Sequence, residues 1–331
     1  MEAKNYTSLA SALVSLFGNA VAIARTDRLS GGDINKAYAV TLNTGDTIFM
    51  KANAKEKAAS FESEARGLEA IASCGAIATP KILGWGTDDG EEVGYSFLLL
   101  EYVKSANKKA DYWQIFGRSL AAMHRADTQK FLGGSRNGGK PQTGGATKSG
   151  GKTETGGATK TPARFGFMED NCIGARPQQN EPRASWVEFF RDCRLAPQFK
   201  AAESWFDSED ANKIARLLER LDKILVEPQF PSLLHGDLWS GNAMPDASGN
   251  PMLIDPACYV GSAEADLAMT ELFGGFAPDF YAAYKEALPL EPGYDERRDI
   301  YNLYHLLNHL NIFGASYLGP VKSILDEYSS I

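Results

Sequence analysis

Residues 235–242 read HGDLWSGN, and a strand-like run ends at residues 254–255 with the pair ID. The two segments place an acid, an amide and a second acid at Asp237, Asn242 and Asp255, with turn-forming and apolar residues between them. Mg²⁺ prefers carboxylate, amide and phosphate oxygens to imidazole or thiolate ligands. The stretch therefore predicts a site for a magnesium–nucleotide complex.

The spacing of these three residues also predicts what each of them does. An Asp-x₄-Asn segment followed by an Asp at the end of a strand is the order found in kinases. In that chemistry Asp237 accepts the proton of the attacking hydroxyl, and Asn242 and Asp255 hold the metal ion. The alternative interpretation is a group of unrelated polar residues in turns.

His235 and Trp239 flank Asp237 in the same stretch. We expect His235 to brace the loop by hydrogen bonding rather than to take part in the chemistry. Trp239 either lines the pocket for the phosphate acceptor or packs against the loop, and the sequence favours neither interpretation.

Length and composition indicate a globular protein of two lobes. The chain has 331 residues, with 44% hydrophobic and 23% charged residues, which is typical of folded domains. We predict an N-terminal nucleotide-binding lobe over residues 1–103 and a catalytic lobe over residues 104–331. The net charge of −8 argues against nucleic acid as a partner, because phosphate backbones attract basic surfaces.

The four cysteines are scattered and form no CxxC pair. We therefore expect no zinc site, and we expect the protein to lie in a reducing compartment. The N-terminus lacks the features of a secretion signal, and no run approaches 18 apolar residues. We expect a cytoplasmic protein, most simply a monomer, without a membrane partner.

The first hundred residues predict a helix over residues 4–16 followed by a small antiparallel sheet of about five strands. Between the first two strands, Gly31 and Gly32 would let the backbone approach the phosphates of a nucleotide. An ordinary hairpin turn explains these glycines equally well.

Lys51 ends a strand, and the helix predicted over residues 55–74 follows it. The apolar face of that helix contains Phe61 and Leu68, and Glu64 lies on the same face at helical spacing. A carboxylate on a buried face requires a partner, because an unpaired buried charge is costly. We therefore predict a Lys51–Glu64 ion pair, with Lys51 also holding the α- and β-phosphates.

Glu101 and Val103 end the apolar strand that begins near residue 95. A strand that passes into a connection between lobes can offer its backbone N–H and C=O groups to an adenine ring. A buried central strand that leads into a loop is the alternative.

The remainder of the chain predicts a mostly helical lobe, with helices over residues 111–126, 185–201, 208–225, 279–288 and 295–313. We expect structural roles for His124, for the pair His305 and His309, and for Asp266 as the N-cap of a helix. Residues 133–162 are rich in Gly, Thr and Lys and predict a flexible insertion.

Three long segments resemble the fructosamine kinase (ketosamine-3-kinase) family, which is related to the aminoglycoside phosphotransferases. These are LLHGDLWSGN at 233–242, IDPACYVGSAEADLAMTELFGGF at 254–276 and WVEFFRDCRLAPQ at 186–198. The resemblance extends from about residue 5 to the C-terminus, with the insertion outside it.

This resemblance implies an α+β, bilobal protein-kinase-like fold, with an antiparallel N-terminal sheet, one main helix in that lobe and a mostly helical C-terminal lobe. It also implies that the protein uses ATP, with Mg²⁺ as cofactor, to phosphorylate the C3 hydroxyl of a ketosamine. The ketosamine is either a small molecule or bound to a protein. The 3-phosphate then decomposes and frees the amine, which links the family to deglycation. Some relatives carry a cysteine in the nucleotide loop that supports redox-linked dimers; residues 31–34 here read GGDI, so that behaviour is not expected.

Two alternatives remain open from the residues alone. A kinase of the same fold could phosphorylate another hydroxyl compound, such as an aminoglycoside or choline. A catalytically silent nucleotide-binding protein should lack one of Lys51, Asp237, Asn242 or Asp255, and all four are present.

Overall fold

The computed structural model describes residues 4–30, 34–90, 93–132 and 164–328. The predicted nucleotide residues Gly31 and Gly32 and the whole of the predicted insertion, residues 133–162, therefore lie outside the described residues. The N-terminal part contains six strands and two helices. They are β1 Lys4–Tyr6, α1 Leu9–Phe17, β2 Ile23–Leu29, β3 Lys36–Leu42, β4 Thr47–Ala54, α2 Ala58–Ser73, β5 Ile82–Asp88 and β6 Tyr95–Glu101.

The six strands form one sheet in the order β1-β5-β6-β4-β3-β2. All neighbouring pairs are antiparallel except β1 and β5, which are parallel. The expectation of a helix from residue 4 was wrong at its start, because residues 4–6 pair with β5 and the helix begins only after its N-cap, Ser8. The sheet consequently has one strand more than expected and is mixed rather than fully antiparallel.

Helices cover both faces of this sheet. Phe97 and Leu99 of β6 pack in a cluster with Leu9 and Leu13 of α1. Leu98 and Leu100, which point the other way, pack with α2. Because successive side chains of a strand alternate between faces, the uninterrupted apolar run in β6 is explained by burial on both sides. The expected main helix is α2, and α1 is an additional helix on the opposite face.

The C-terminal part is mostly helical, as expected, with short strands around its loops. Its elements are α3 Tyr112–His124, β7 Asn171–Ile173, β8 Arg176–Gln178, α4 Trp186–Phe190, α5 Ala196–Ala201, α6 Ser208–Glu219, α7 Leu221–Ile224, β9 Ser232–Leu234, β10 Ala243–Pro245, β11 Pro251–Leu253, β12 Tyr259–Gly261, α8 Ala263–Leu272, α9 Pro278–Ala287, α10 Tyr294–Phe313 and α11 Leu318–Tyr328.

Two of the predicted C-terminal helices are divided. The helix expected over residues 185–201 contains a π-helical turn, Arg191–Leu195, between α4 and α5. The helix expected over residues 208–225 is interrupted at Arg220, between α6 and α7. The lobe boundary proposed at residues 103 and 104 stays a prediction, although regular structure does pause between β6 and α3. No helix within the described part of the chain is long and apolar enough to span a membrane.

The contact between α3 and α9 leaves no room at Gly117. A Cβ atom there would lie 2.3 Å from the backbone oxygen of Phe280 and 2.8 Å from the nitrogen of Tyr284. We predict that Gly117→Ala lowers the free energy of unfolding by about 1–3 kcal/mol, because the two helices must separate. Urea unfolding followed by circular dichroism measures the change.

Gly319 in α11 is the matched control, because a Cβ atom on this residue would have no heavy atom of the described residues within 4 Å. Gly319→Ala should leave stability unchanged or raise it by up to about 1 kcal/mol, since alanine favours helix. Equal stabilisation by both substitutions would contradict the tight contact of α3 with α9.

Candidate active site

The HGDLWSGN stretch follows β9 and forms a loop whose backbone is held by a buried carboxylate. Asp266 accepts hydrogen bonds from the backbone N–H groups of His235, at 2.7 Å, and Gly236, at 2.9 Å. His124 lies 3.2 Å from the same carboxylate through Nε2, and its Nδ1 is 2.7 Å from the hydroxyl of Tyr284. The structural role expected for His124 is confirmed.

Asp266 is not the N-cap that we expected. Helix α8 begins at Ala263 after Ser262, so Asp266 lies inside its first turn and points towards the catalytic loop. Burial alone would raise the pKa of Asp266, but the hydrogen bonds and charge of its neighbours, above all His124, lower it. The charged carboxylate is therefore the stable form, and it fixes the start of the loop.

His235 connects this loop with the segment that ends in Asp255. The ring is fully buried, its Nε2 lies 2.9 Å from the carbonyl oxygen of Ile254, and its Nδ1 accepts the backbone N–H of Asp237 at 3.2 Å. Burial lowers the pKa of His235, so the imidazole is neutral and donates through Nε2. These contacts are those of a loop brace, as expected.

Asp237 and Asn242 face each other within the loop. The Asn242 amide Nδ2 donates to the Asp237 carbonyl oxygen at 2.9 Å and to its carboxylate at 3.1 Å. Burial, together with the negative charge of Asp255, raises the pKa of Asp237 to about 7 despite the bond from Asn242. A carboxyl group with such a pKa is suited to accept a proton near neutral pH.

Lys51 joins the sheet, α2 and the segment after β11. Its Nζ donates to Glu64 at 2.7 Å and also contacts the carboxylate of Asp255. The predicted inward orientation of Glu64 and its pairing with Lys51 are confirmed. Burial by itself would lower the pKa of Lys51, but the charges of Asp255 and Glu64 outweigh burial and raise it. Lys51 therefore remains an ammonium ion although only 7% of its side chain is exposed.

Asp255 differs from its partners in backbone and exposure. Its φ of 55° is the one positive value at a non-glycine position in the described ranges. Such a conformation is uncommon for a residue with a side chain and concentrates at functional sites. The Asp255 side chain is 41% exposed, so its carboxylate can reach a ligand in the cleft.

The donor set fits a hard cation such as Mg²⁺. The Nδ2 atom of Asn242 is occupied by Asp237, which leaves the Oδ1 atom as the amide ligand. Together with the accessible Asp255 carboxylate, it offers the oxygen ligands that Mg²⁺ prefers, with water and phosphate to complete the shell. The described residues contain no group of three His, Cys, Asp or Glu side chains arranged to hold a metal ion.

The hairpin between Asn242 and Asp255 is tied to the segment that follows β6. Strands β10 and β11 pair antiparallel around the turn predicted at residues 244–251. At the tip, Ala106 donates its N–H to the Asp246 carbonyl at 3.1 Å, and Lys109 donates to the Gly249 carbonyl at 3.2 Å. The connection between the two parts of the chain is thus hydrogen-bonded to the hairpin that carries both candidate metal ligands.

Three other predicted residues, Glu101, Val103 and Trp239, lie at the end of β6, in the segment after it and on the loop. Glu101 ends β6, and its backbone N–H donates to the carbonyl oxygen of Lys81 at 2.8 Å, so this N–H is not available to an adenine ring. Val103 lies in the irregular segment that follows. Trp239 is 40% exposed on the loop surface.

The fold, with its sheet-borne lysine, helix-borne glutamate and Asp-x₄-Asn loop, defines a kinase of the protein-kinase-like class. The model of one family, described as fructosamine kinase, matches residues 5–143 and 151–330. The chain belongs to this fructosamine kinase family. The match also corrects one expectation, because it omits only residues 144–150 of the segment that we placed outside the resemblance.

Individual proteins agree with this assignment. A probable ketoamine kinase of Synechocystis sp. is 35% identical over 97% of this chain and 96% of its own length. A chloroplastic protein-ribulosamine 3-kinase of Oryza sativa subsp. indica is 35% identical over 94% of this chain and 80% of its own. A solved structure of a candidate fructosamine-3-kinase from Haemophilus somnus superposes with a TM-score of 0.76 and 27% identity, over 97% of this chain and 96% of that one.

The raised pKa of Asp237 makes a prediction about stability. Between about pH 4 and pH 7 the unfolded chain loses this proton while the folded protein keeps it, so the charged carboxylate destabilises the fold above pH 7. Asp237→Asn removes that charge and can still accept the bond from Asn242. We expect a higher Tm than wild type at pH 8 and a smaller difference at pH 4, measured by calorimetry without Mg²⁺ or nucleotide.

Asp222, an exposed acid on α7, provides the control. Asp222→Asn should leave Tm nearly unchanged at both pH values, because an exposed carboxylate is solvated in the folded and unfolded states. A lower Tm for Asp237→Asn than for wild type at pH 8 would show that the charged carboxylate does not destabilise the folded protein.

Proposed function

We propose that the protein is an ATP- and Mg²⁺-dependent kinase that phosphorylates the C3 hydroxyl of ketosamines, such as fructosamines or ribulosamines, and so takes part in deglycation. The observation that carries this proposal is the contact of Lys51 with both Glu64 and Asp255, next to Ile254, whose carbonyl oxygen is hydrogen-bonded to His235 of the loop that carries Asp237. Relatives about 35% identical over most of the chain are named for ketoamine and ribulosamine substrates.

Each residue of the site has a role in this proposal. Lys51, oriented by Glu64, holds the α- and β-phosphates. Asn242 and Asp255 hold the cation. The C=O of Glu101 and the N–H of Val103 contact the adenine, and the backbone at Gly31 and Gly32 covers the phosphates.

Asp237 acts on the acceptor. The C3 hydroxyl gives its proton to the Asp237 carboxylate while its oxygen forms a bond to the γ-phosphorus, and the bond from that phosphorus to the leaving oxygen of ADP breaks. Bound Mg²⁺ supplies charge neutralisation on the phosphates. His235 and Asp266 keep the loop in place, because their hydrogen bonds fix its backbone on both sides of Gly236.

The acceptor could be a free ketosamine or one attached to a protein, and the proposal includes both. We also infer a cytoplasmic, monomeric enzyme, and its four cysteines, all free thiols, suit a reducing compartment.

Removing the proposed base should abolish most turnover. Asp237→Ala is expected to lower kcat with fructoselysine by about 10²–10⁴-fold, because no other group takes the proton. ADP release, measured with a coupled assay, reports the rate. Asp222→Ala, which removes an exposed acid elsewhere in the same lobe, should keep wild-type kcat, and unchanged turnover in Asp237→Ala would refute the assignment.

An acceptor panel tests the substrate class separately from the base. Fructoselysine and ribuloselysine should be consumed in preference to aminoglycosides and choline, and phosphorus NMR should locate the new phosphate at C3. A preference for an aminoglycoside or choline would transfer the same chemistry to another acceptor. ATP binding without transfer to any of them would indicate a silent nucleotide-binding protein.

A further inference from the structure

The turn after α8 lies directly against the catalytic loop. Residues 272–276 read LFGGF, and Gly274 and Gly275 adopt φ values of 70° and 95°. A Cβ atom on Gly275 would lie 2.6 Å from the side-chain oxygen of Ser240, three residues after Asp237. Only glycine permits both this backbone conformation and this approach.

The two phenylalanines of this turn lie in different environments. Phe276 enters the core, with its ring centroid 4.9 Å from that of Phe280 and 5.6 Å from that of Phe116. Phe273 instead stays on the surface with 41% of its area exposed. Phe273 therefore leaves apolar surface exposed next to the loop that carries Asp237.

Phe273 belongs to a group of four rings, Phe273, His309, Phe313 and Tyr317, which we call the ring group. His309 meets Phe273 edge to face at 5.0 Å and stacks on Phe313, at 5.4 Å, and on Tyr317, at 5.0 Å, and the centroids of Phe313 and Tyr317 lie 6.2 Å apart. Phe313 is the most exposed of the large hydrophobic residues of α10, at 48%. Burial lowers the pKa of His309, so the ring at the centre carries no positive charge at neutral pH.

Residues next to the ring group approach the N-terminal part of the chain. Ile312, which precedes Phe313, lies near Gly174 in the β7–β8 turn, and Gly174 lies near Ile34, two residues before β3. The ring group thus lies beside the turn that touches Ser240, three residues after Asp237 in the same loop.

The proposed acceptor has chemistry that suits such a surface. A ketosamine carries a secondary amine on C1, two carbons from the C3 hydroxyl, and this amine is an ammonium ion at neutral pH. Exposed aromatic faces attract ammonium ions, the more strongly when water is excluded. The carbon chain of the amine would meanwhile cover the apolar ring surface.

We propose that the ring group is the subsite for the ammonium group and amine substituent of the acceptor, and that it selects ketosamines over neutral sugars. This inference rests on the proposed function. It assigns Phe273 and Phe313 a part in acceptor choice, while Asp237 retains the chemistry.

A pair of acceptors that differ in one atom tests the subsite. 1-Deoxy-1-(methylamino)fructose carries the ammonium group, and 1-O-methylfructose replaces it with a neutral oxygen. Phe273→Leu and Phe313→Leu keep an apolar side chain but remove the π face. Each should lower kcat/KM for the amine by about fivefold to thirtyfold, through KM, and change the ether much less.

Two further variants control the experiment. Phe313→Tyr retains an aromatic face and should restore most of the preference for the amine. Trp205→Leu removes a comparably exposed aromatic ring, 37% exposed and outside the ring group, and should leave both acceptors unaffected. Tm values for every variant establish that the fold is intact.

The outcomes separate this inference from the proposed function. If wild-type protein phosphorylates neither acceptor, the proposed function fails and the inference fails with it. If wild type prefers the amine and the leucine variants keep that preference within twofold, the ring group is not the subsite. An equal loss for amine and ether, or association of the protein through these rings in sedimentation experiments, would likewise overturn it.

Discussion

One buried ammonium group holds together parts of the molecule that are far apart in the sequence. Glu64 lies 13 residues from Lys51, and Asp255 lies 204 residues away. A buried lysine is tolerated only when carboxylates compensate for its lost hydration. The positions of β4, α2 and the segment after β11 are therefore set by one electrostatic requirement. A ligand with its own negative charge, such as a nucleotide phosphate, can share the same ammonium group.

A second buried charge organises the opposite side of the cleft. Asp266 binds two consecutive backbone N–H groups and a histidine, so one carboxylate satisfies donors from a loop and from α3. Its pKa is lowered, whereas that of Asp237 is raised to about 7. Burial raises the pKa of both groups, but the donors around Asp266 outweigh it, whereas at Asp237 the negative charge of Asp255 adds to it. The same residue type thus has a structural role at one position and proton-accepting capacity at the other.

The sequence predicted the parts of this arrangement that depend on local spacing. The inward orientation of Glu64 follows from its position three residues after Phe61 and four before Leu68, and its partner lies on the adjacent strand. The hairpin between Asn242 and Asp255 was likewise readable from its turn residues. The sequence did not predict the role of Asp266, because its partners lie 31 and 142 residues away and an acid in a first helical turn resembles a cap. Strand β1 was missed for a similar reason, since only three residues pair with a partner about 80 positions later.

The hydrogen bonds at the tip of the β10–β11 hairpin have a mechanical consequence. The segment after β6 is bonded to Asp246 and Gly249, and the two feet of the same hairpin carry Asn242 and Asp255. A rotation of the N-terminal sheet relative to the helices would pull on this tip and tilt the hairpin as a short lever. Such a tilt would move Asn242 and Asp255 together, so that movement of the sheet and the position of the two oxygen ligands are coupled through one hairpin.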